Sequence, residues 1–223
     1  MTVRDRRGKR TVEQMLASGV EVFARLGPDG VSTRELARAA GVNVAAIQYY
    51  FGGKEGYYIA VVEHLIEKLS KPLLDTIRSI SRQVENLTVT PEDALGMLYQ
   101  TVQVMVRRLL STPETRFFAS ISVREHLNPT PAYDVIYDAL SGIHIALSKL
   151  VARVVGVPPD SLEAVVRAHA IVGEILMFRL GEMTLCRRLG WKTISNDEVE
   201  KIAKIVADMA CSSLGFDMHG KRR

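Results

Sequence analysis

Between Thr33 and Phe51 the chain sets out residues able to read and grip a polyanion at constrained spacing. Asn43, Val44, Ala45, Gln48 and Tyr49 share the outward side of one short helical stretch. A glutamine amide can pair with an adenine edge, and small apolar side chains suit thymine methyls. Gln48 suits a phosphate or a water equally well. Thr33 and Tyr49 carry hydroxyls fit for phosphate oxygens. Lys54 follows Gly52-Gly53, so its ammonium and the N–H groups opening the next helix form an anion site. The charge distribution agrees. Residues 1–54 carry nine Lys and Arg against five acids, and the rest of the chain is balanced, so the whole net charge of +4 lies in the first quarter. Such asymmetry points to one segment that meets nucleic acid, or to a basic tail that aids solubility.

The elements that must hold these residues form a twenty-residue unit. Counted from Thr33, Ala37 falls at position five, where two steeply crossing helices need a small residue. Gly41 falls at nine, where the turn calls for positive φ. Leu36, Ala40, Val42, Ile47 and Tyr50 are expected to close a small core. Ser32 or Thr33 can cap the first helix and Asn43 the second. This spacing predicts a helix-turn-helix with its second helix in the major groove. An ordinary helical hairpin is the alternative. Arg4–Arg10 form either a flexible arm toward the DNA backbone or a solvated tail.

Other chemistries find no support. There is no nucleophile–base pair, glycine-rich phosphate loop or metal-ligand cluster, so neither an enzyme nor a cofactor is expected. Cys186 and Cys211 are isolated, which fits a reducing cytoplasm. The N-terminus has no apolar signal-peptide core. The most apolar stretch, Ala164–Leu180, is broken by Arg167, His169, Glu174 and Arg179 and reads as a buried helix rather than a membrane span.

The periodicity is helical throughout, so the expected class is all-α. A first helix carries Val12, Leu16, Gly19, Val20, Phe23 and Leu26 on one face and ends at Gly27-Pro28-Asp29-Gly30. A long helix runs from Lys54 to about Arg82, with a loop at Asn86–Thr90. Thr90-Pro91, Thr112-Pro113 and Thr130-Pro131 each place a capping hydroxyl before a proline at the first helical position, and Pro158-Pro159-Asp160 offers Asp160 as a cap. Helices are expected at about 91–111, 113–127, 131–155, 160–188 and 196–214. The domains would be 1–54, a DNA-binding domain with a basic arm, and 55–223, a helical effector-binding and dimerisation domain.

The 160–188 helix is apolar on more than one side and so must be buried on several. With the stripe Val199, Ile202, Val206, Met209 and Ser213 it suits a four-helix dimer interface, and Gly173 and Gly181 permit close approach. An adaptable cavity for a small molecule would draw on Met105, Phe117, His126, Tyr137, His144, His169, Met177 and Phe178. The same residues suit a plain core. The histidine spacing is not a metal motif.

The stretch Val31–Val42, then Ile47–Phe51 and Lys54-Glu55, resembles the N-terminal signature of the TetR family of transcriptional regulators. The family usually has tyrosine where Gln48 stands, and the Tyr49-Tyr50-Phe51 run is similar to the CecR/CerR-like subgroup, as is Arg124–Thr130. The resemblance implies a homodimer on a double-stranded DNA operator, a C-terminal ligand pocket, and repression relieved by a small molecule. The alternative is an adaptor that uses its helix-turn-helix to bind protein.

Overall fold

The computed structural model describes residues 3–84, 89–112 and 114–215; the side chains of 3–7, 70–76, 78 and 81 are outside that description. The described residues form ten helices and no strand: α1 (Val3–Leu26), α2 (Thr33–Ala40), α3 (Val44–Phe51), α4 (Lys54–Val84), α5 (Pro91–Ser111), α6 (Glu114–Leu127), α7 (Ala132–Val155), α8 (Leu162–Leu180), α9 (Glu182–Leu189) and α10 (Asn196–Ser213). The chain divides into two compact units, 1–70 with 117–139, and 71–116 with 140–223.

The first unit grows around α1 and the start of α4. Met15, Val20 and Phe23 of α1 are buried with Tyr57, Tyr58, Val61 and Val62 of α4. Gly19 makes their crossing possible: a Cβ there would stand 2.7 Å from Val61 Cγ2 and 2.9 Å from the Tyr57 hydroxyl oxygen. The Tyr57 hydroxyl donates to the Met15 carbonyl, which α1's own ladder leaves room to share. The Phe23 ring meets Tyr57 edge-on at 5.5 Å and Tyr58 at 4.9 Å. Glu125 of α6 is fully buried. Its carboxylate accepts from the Tyr58 hydroxyl at 2.8 Å, the Thr130 N–H at 2.8 Å and the Thr130 hydroxyl at 2.9 Å. Three donors offset the cost of burying that charge. Burial, then the bond to Glu125, pushes the Tyr58 hydroxyl far above its ordinary value, so it stays a donor.

The second unit has one apolar core, with Leu98, Val102 and Val106 from α5, Leu147, Leu150 and Val151 from α7, Ala168 and Ile171 from α8, and Ala203, Val206 and Ala207 from α10. Helix α10 packs chiefly along α5. Arg179 is buried at the end of α8 because it has work for its donors. It donates to the Leu109 and Thr112 carbonyls at the end of α5, to the Thr115 hydroxyl, and to Glu182 at 2.6 Å. A cation at a helix C-terminus offsets the carbonyl ends there.

The proline-capped starts are mostly as expected. Thr90 forms a full capping box with Asp93, with Pro91 inside the first turn. The Thr130 hydroxyl accepts from the Ala132 N–H at 3.2 Å. Thr112 departs from the pattern: its buried hydroxyl has no partner among the described residues, and Pro113 lies outside them, as do residues 86–88 of the expected loop. The cap of α8 is Ser161 rather than Asp160, because only the Ser161 Oγ accepts from the Ala164 N–H.

Two expectations need correction. The single helix over 160–188 is two, α8 and α9, divided at Gly181, a poor helix former whose neighbours Arg179 and Glu182 pair across the break. Val199, Ile202 and Val206 of the expected interface stripe are used inside the chain's own core, leaving Met209 exposed. Among the described residues the helix long and apolar enough to cross a bilayer is α7, and the charge-interrupted stretch Ala164–Leu180 is not one. The apolar side of α7 is accounted for by the core, where Ile143, Ala146, Leu147, Leu150 and Val151 are buried.

Candidate DNA-binding site

Two short helices and their turns build the candidate reading surface. Ser32 opens α2 with a capping box: its Oγ accepts from the Glu35 N–H at 3.3 Å, and the Glu35 carboxylate accepts from the Ser32 N–H at 2.8 Å. The Ser32 hydroxyl, which donates to that carboxylate at 2.7 Å, and then the Ser32 N–H hold the Glu35 carboxyl below its ordinary value. Gly41 ends α2 at φ 67°, ψ 31°, a left-handed conformation that glycine adopts without a Cβ penalty. Its N–H and that of Val42 satisfy carbonyls at the end of α2. Asn43 then opens α3, its Oδ1 accepting from the Ala46 N–H at 2.8 Å. The turn is tied to α1 by Gln14, whose Nε2 donates to the Ala40 carbonyl at 3.1 Å.

The inner side of the unit is Leu36, Ala37, Ala40 and Ile47, all buried. Val42 is half-buried. Tyr50 is not part of this core, contrary to the sequence expectation: it is 38% exposed and turns its ring toward Tyr49, 4.9 Å away and nearly perpendicular. Phe51 takes the inward place, stacked on Tyr57 at 4.6 Å. Tyr50 and Phe51, three and four residues after Ile47, are both at registers that could face inward, and packing against Tyr57 places Phe51 there.

The outer side matches the expected set. Asn43, Val44, Ala45, Gln48 and Tyr49 are all exposed, Tyr49 to 82%. Thr33 is half-buried at the start of α2. The Gln48 Oε1 lies 3.6 Å from where a Cβ on Gly53 would stand, so its amide lies over the α3–α4 turn. Gly53 has φ 132°. Lys54 is half-buried, and its ammonium donates to the Val31 carbonyl at 3.3 Å, which brings the start of α4 against the residue before α2. One donor of three is thereby committed.

The residues singled out for an effector cavity are divided between the two units. Phe117, His126 and Tyr137 belong to the first unit; Met105, His144, His169, Met177 and Phe178 belong to the second. Met105 is buried, and Phe117, His144 and Phe178 are half-buried. His126, Tyr137, His169 and Met177 are surface residues of their own units. His126 Nδ1 pairs with the Ser122 carbonyl at 2.7 Å and its ring meets Tyr133 edge-on. The His144 and His169 rings stack at 5.6 Å. A cleft of about 520 Å³ in the second unit has other walls, Lys149 and Arg153 with Val84, Pro91, Val157 and Pro159. The described residues hold no cluster of three or more potential metal ligands. The buried Tyr58–Glu125–Thr130 network escaped sequence reasoning, since nothing in the local pattern of Arg124–Thr130 marks one acid as interior.

Comparison with known proteins now gives this geometry a class. Residues 15–61 match the model for bacterial regulatory proteins of the tetR family, and residues 94–215 match that for the C-terminal domain of the HTH-type transcriptional dual regulator CecR. The CecR protein of Shigella flexneri is 30% identical over 204 residues, covering 90% of this chain and 89% of its own. Solved structures share the fold, among them the following two. AibR, determined with isovaleryl coenzyme A and operator DNA, has a TM-score of 0.63 at 15% identity, covering 89% of this chain and 97% of its own. The fatty acid degradation regulator FadR from Bacillus halodurans has a TM-score of 0.58 at 20% identity, covering 89% and 97%. The fold is therefore that of helix-turn-helix regulators, a class of DNA-binding proteins rather than enzymes. The chain belongs to the TetR family of transcriptional regulators, in the group that carries the CecR C-terminal domain.

Proposed function

We propose that the chain is a homodimeric cytoplasmic repressor that leaves its operator when a small molecule binds. The exposed face of α3 carries this reading. Asn43, Val44, Ala45, Gln48 and Tyr49 stand clear of a helix whose opposite side is fixed by buried Ile47. That is the arrangement a recognition helix needs: base-reading side chains outward, with the helix held by a core of its own. In this reading Val44 and Ala45 meet thymine methyls and Gln48 an adenine edge. Thr33, Asn43, Tyr49 and Lys54 grip phosphates and set register.

The partner is a second copy. Helix α8 presents Leu162, Val165, Val166, Met177 and Leu180 to solvent, and α10 presents Ile205 and Met209. An apolar face this long on a regulator with one reading head is best covered by its own counterpart, which supplies the second head for a two-fold operator. The effector-binding part is the region after residue 54, with the reading domain at 1–54. The effector would act by favouring the conformation less suited to DNA, to the extent that it binds that conformation more tightly.

Anisotropy titration of the purified protein on duplexes enriched from a random library tests the reading. Binding that is sequence-selective, and that weakens steeply as salt rises, is expected. Absence of both would overturn it.

A further inference from the structure

Basic residues at the start of the chain lie on a helix placed beside the reading face. Residues 3–10 are the first two turns of α1, continuous in backbone with the segment whose Met15 and Phe23 anchor the first unit. Two contacts fix where that helix runs. At Gln14 it is bonded to the end of α2 through the Ala40 carbonyl. At Gly8 it passes α3, with the Tyr50 hydroxyl 3.9 Å from where a Cβ on Gly8 would stand. Tyr50 itself is edge-on to Tyr49, the most exposed residue of α3. Lys9 and Arg10, the next two residues, are both exposed. Each residue advances about 1.5 Å along a helix and turns about 100°, so the Cα atoms of both residues are within one turn of the point where α1 meets α3, and their side chains leave α1 on different sides.

We propose that the opening turns of α1 are a second DNA-binding element, in which Lys9 and Arg10 hold phosphates flanking the groove that α3 enters. This rests on α3 being the reading helix. The element is a fixed helix, not a flexible arm. A cation carried on a helix already packed against the head forfeits less freedom on binding than one on a loose tail. The contact is made to the backbone of the duplex, so it adds affinity without choosing sequence.

The test compares full-length wild type, Lys9→Ala/Arg10→Ala, and Gly8→Pro. Each is titrated from 50 to 200 mM salt on a library-selected duplex and on a random-sequence duplex of equal length. Four lost phosphate contacts, two from each protomer of the dimer, should make the log–log salt slope shallower by about 3.6, which is about 150-fold in affinity across that fourfold salt range. The loss should be the same on both duplexes. Gly8→Pro keeps every charge but interrupts the helix at the contact with Tyr50. It should lose affinity too, with circular dichroism and Tm showing that the rest of the fold stands. An unchanged slope for the double variant overturns the proposal, and unchanged affinity for Gly8→Pro overturns its fixed-helix form. If wild type itself shows no salt-sensitive binding to either duplex, the reading of α3 fails, and this inference fails with it.

Discussion

Helices α3 and α8 each bury one side and expose the other, yet the exposed sides are chemically opposite. On α3 the free side is an amide, a carboxamide cap, two small apolar residues and a tyrosine. On α8 it is Leu162, Val165, Val166, Met177 and Leu180. The first suits a hydrated, charged groove with methyl groups in it. The second gains only by leaving water, at about 25 cal/mol per Å² of apolar surface covered. Burial alone would not have separated a reading helix from an assembling one. The difference lies in what each leaves uncovered.

The comparison breaks most severely at α8. Val166 and Met177 are about half exposed, at 54% and 60%, so charge there harms no internal packing. Val166→Asp/Met177→Asp should sediment as a monomer and lose roughly 10²–10⁴-fold in operator affinity, the range expected when two linked sites become one. An unchanged sedimentation coefficient would remove α8 from the interface.

The next effect is on the rigidity of the reading head. Tyr58→Phe withdraws one of the three donors that satisfy the buried Glu125 carboxylate. A loss of about 1.5–3 kcal/mol in unfolding free energy is expected, as for a hydrogen bond to a charged group. Denaturation by urea measures it. The pair Gln48→Ala and Lys54→Ala then divides the α3 side into reading and grip. Gln48→Ala should cost about 1–3 kcal/mol per half-site on a selected duplex and little on a random one. Lys54→Ala should weaken both alike and reduce the salt slope by about 1.8, one phosphate from each protomer. If Gln48→Ala weakens both duplexes equally, the residue holds a phosphate and does not read a base.

The smallest effect concerns Glu174, on α8. Its Oε2 is buried with no partner among the described residues, and burial raises its carboxyl above the ordinary 4.5. The folded chain therefore holds that proton more tightly than the unfolded chain. Its contribution to stability is greatest below pH 4.5 and is lost as pH rises through the raised value. Glu174→Gln should accordingly raise Tm at pH 7 and leave it unchanged at pH 4.

Sequence reasoning served α3 better than α8 for a physical reason. A helix-turn-helix is specified by local rules: a small residue at Ala37, a left-handed Gly41, caps at Ser32 and Asn43. Each of these appears where the spacing put it. Tyr50 was misplaced because an aromatic at a plausible register can exchange inward and outward places with its neighbour Phe51, and only packing against Tyr57 decides between them. For α8 the apolar count was legible, but which apolar residues face inward was not. That depends on α5 and α10, far away in sequence, and on a buried Arg179 whose partners are carbonyls that no sequence pattern displays. His126, Tyr137, His169 and Met177 are exposed for a like reason, since residue type does not say which part of a helix meets the core.

Footprinting combined with stoichiometry on a selected duplex tests the central claim most directly. Two protomers per duplex are predicted, protecting two symmetry-related half-sites whose centres lie about 34–36 Å apart or a multiple of that, with protection lost in the Val166→Asp/Met177→Asp variant. One protomer on a single protected patch, or equal protection of any duplex, would contradict it.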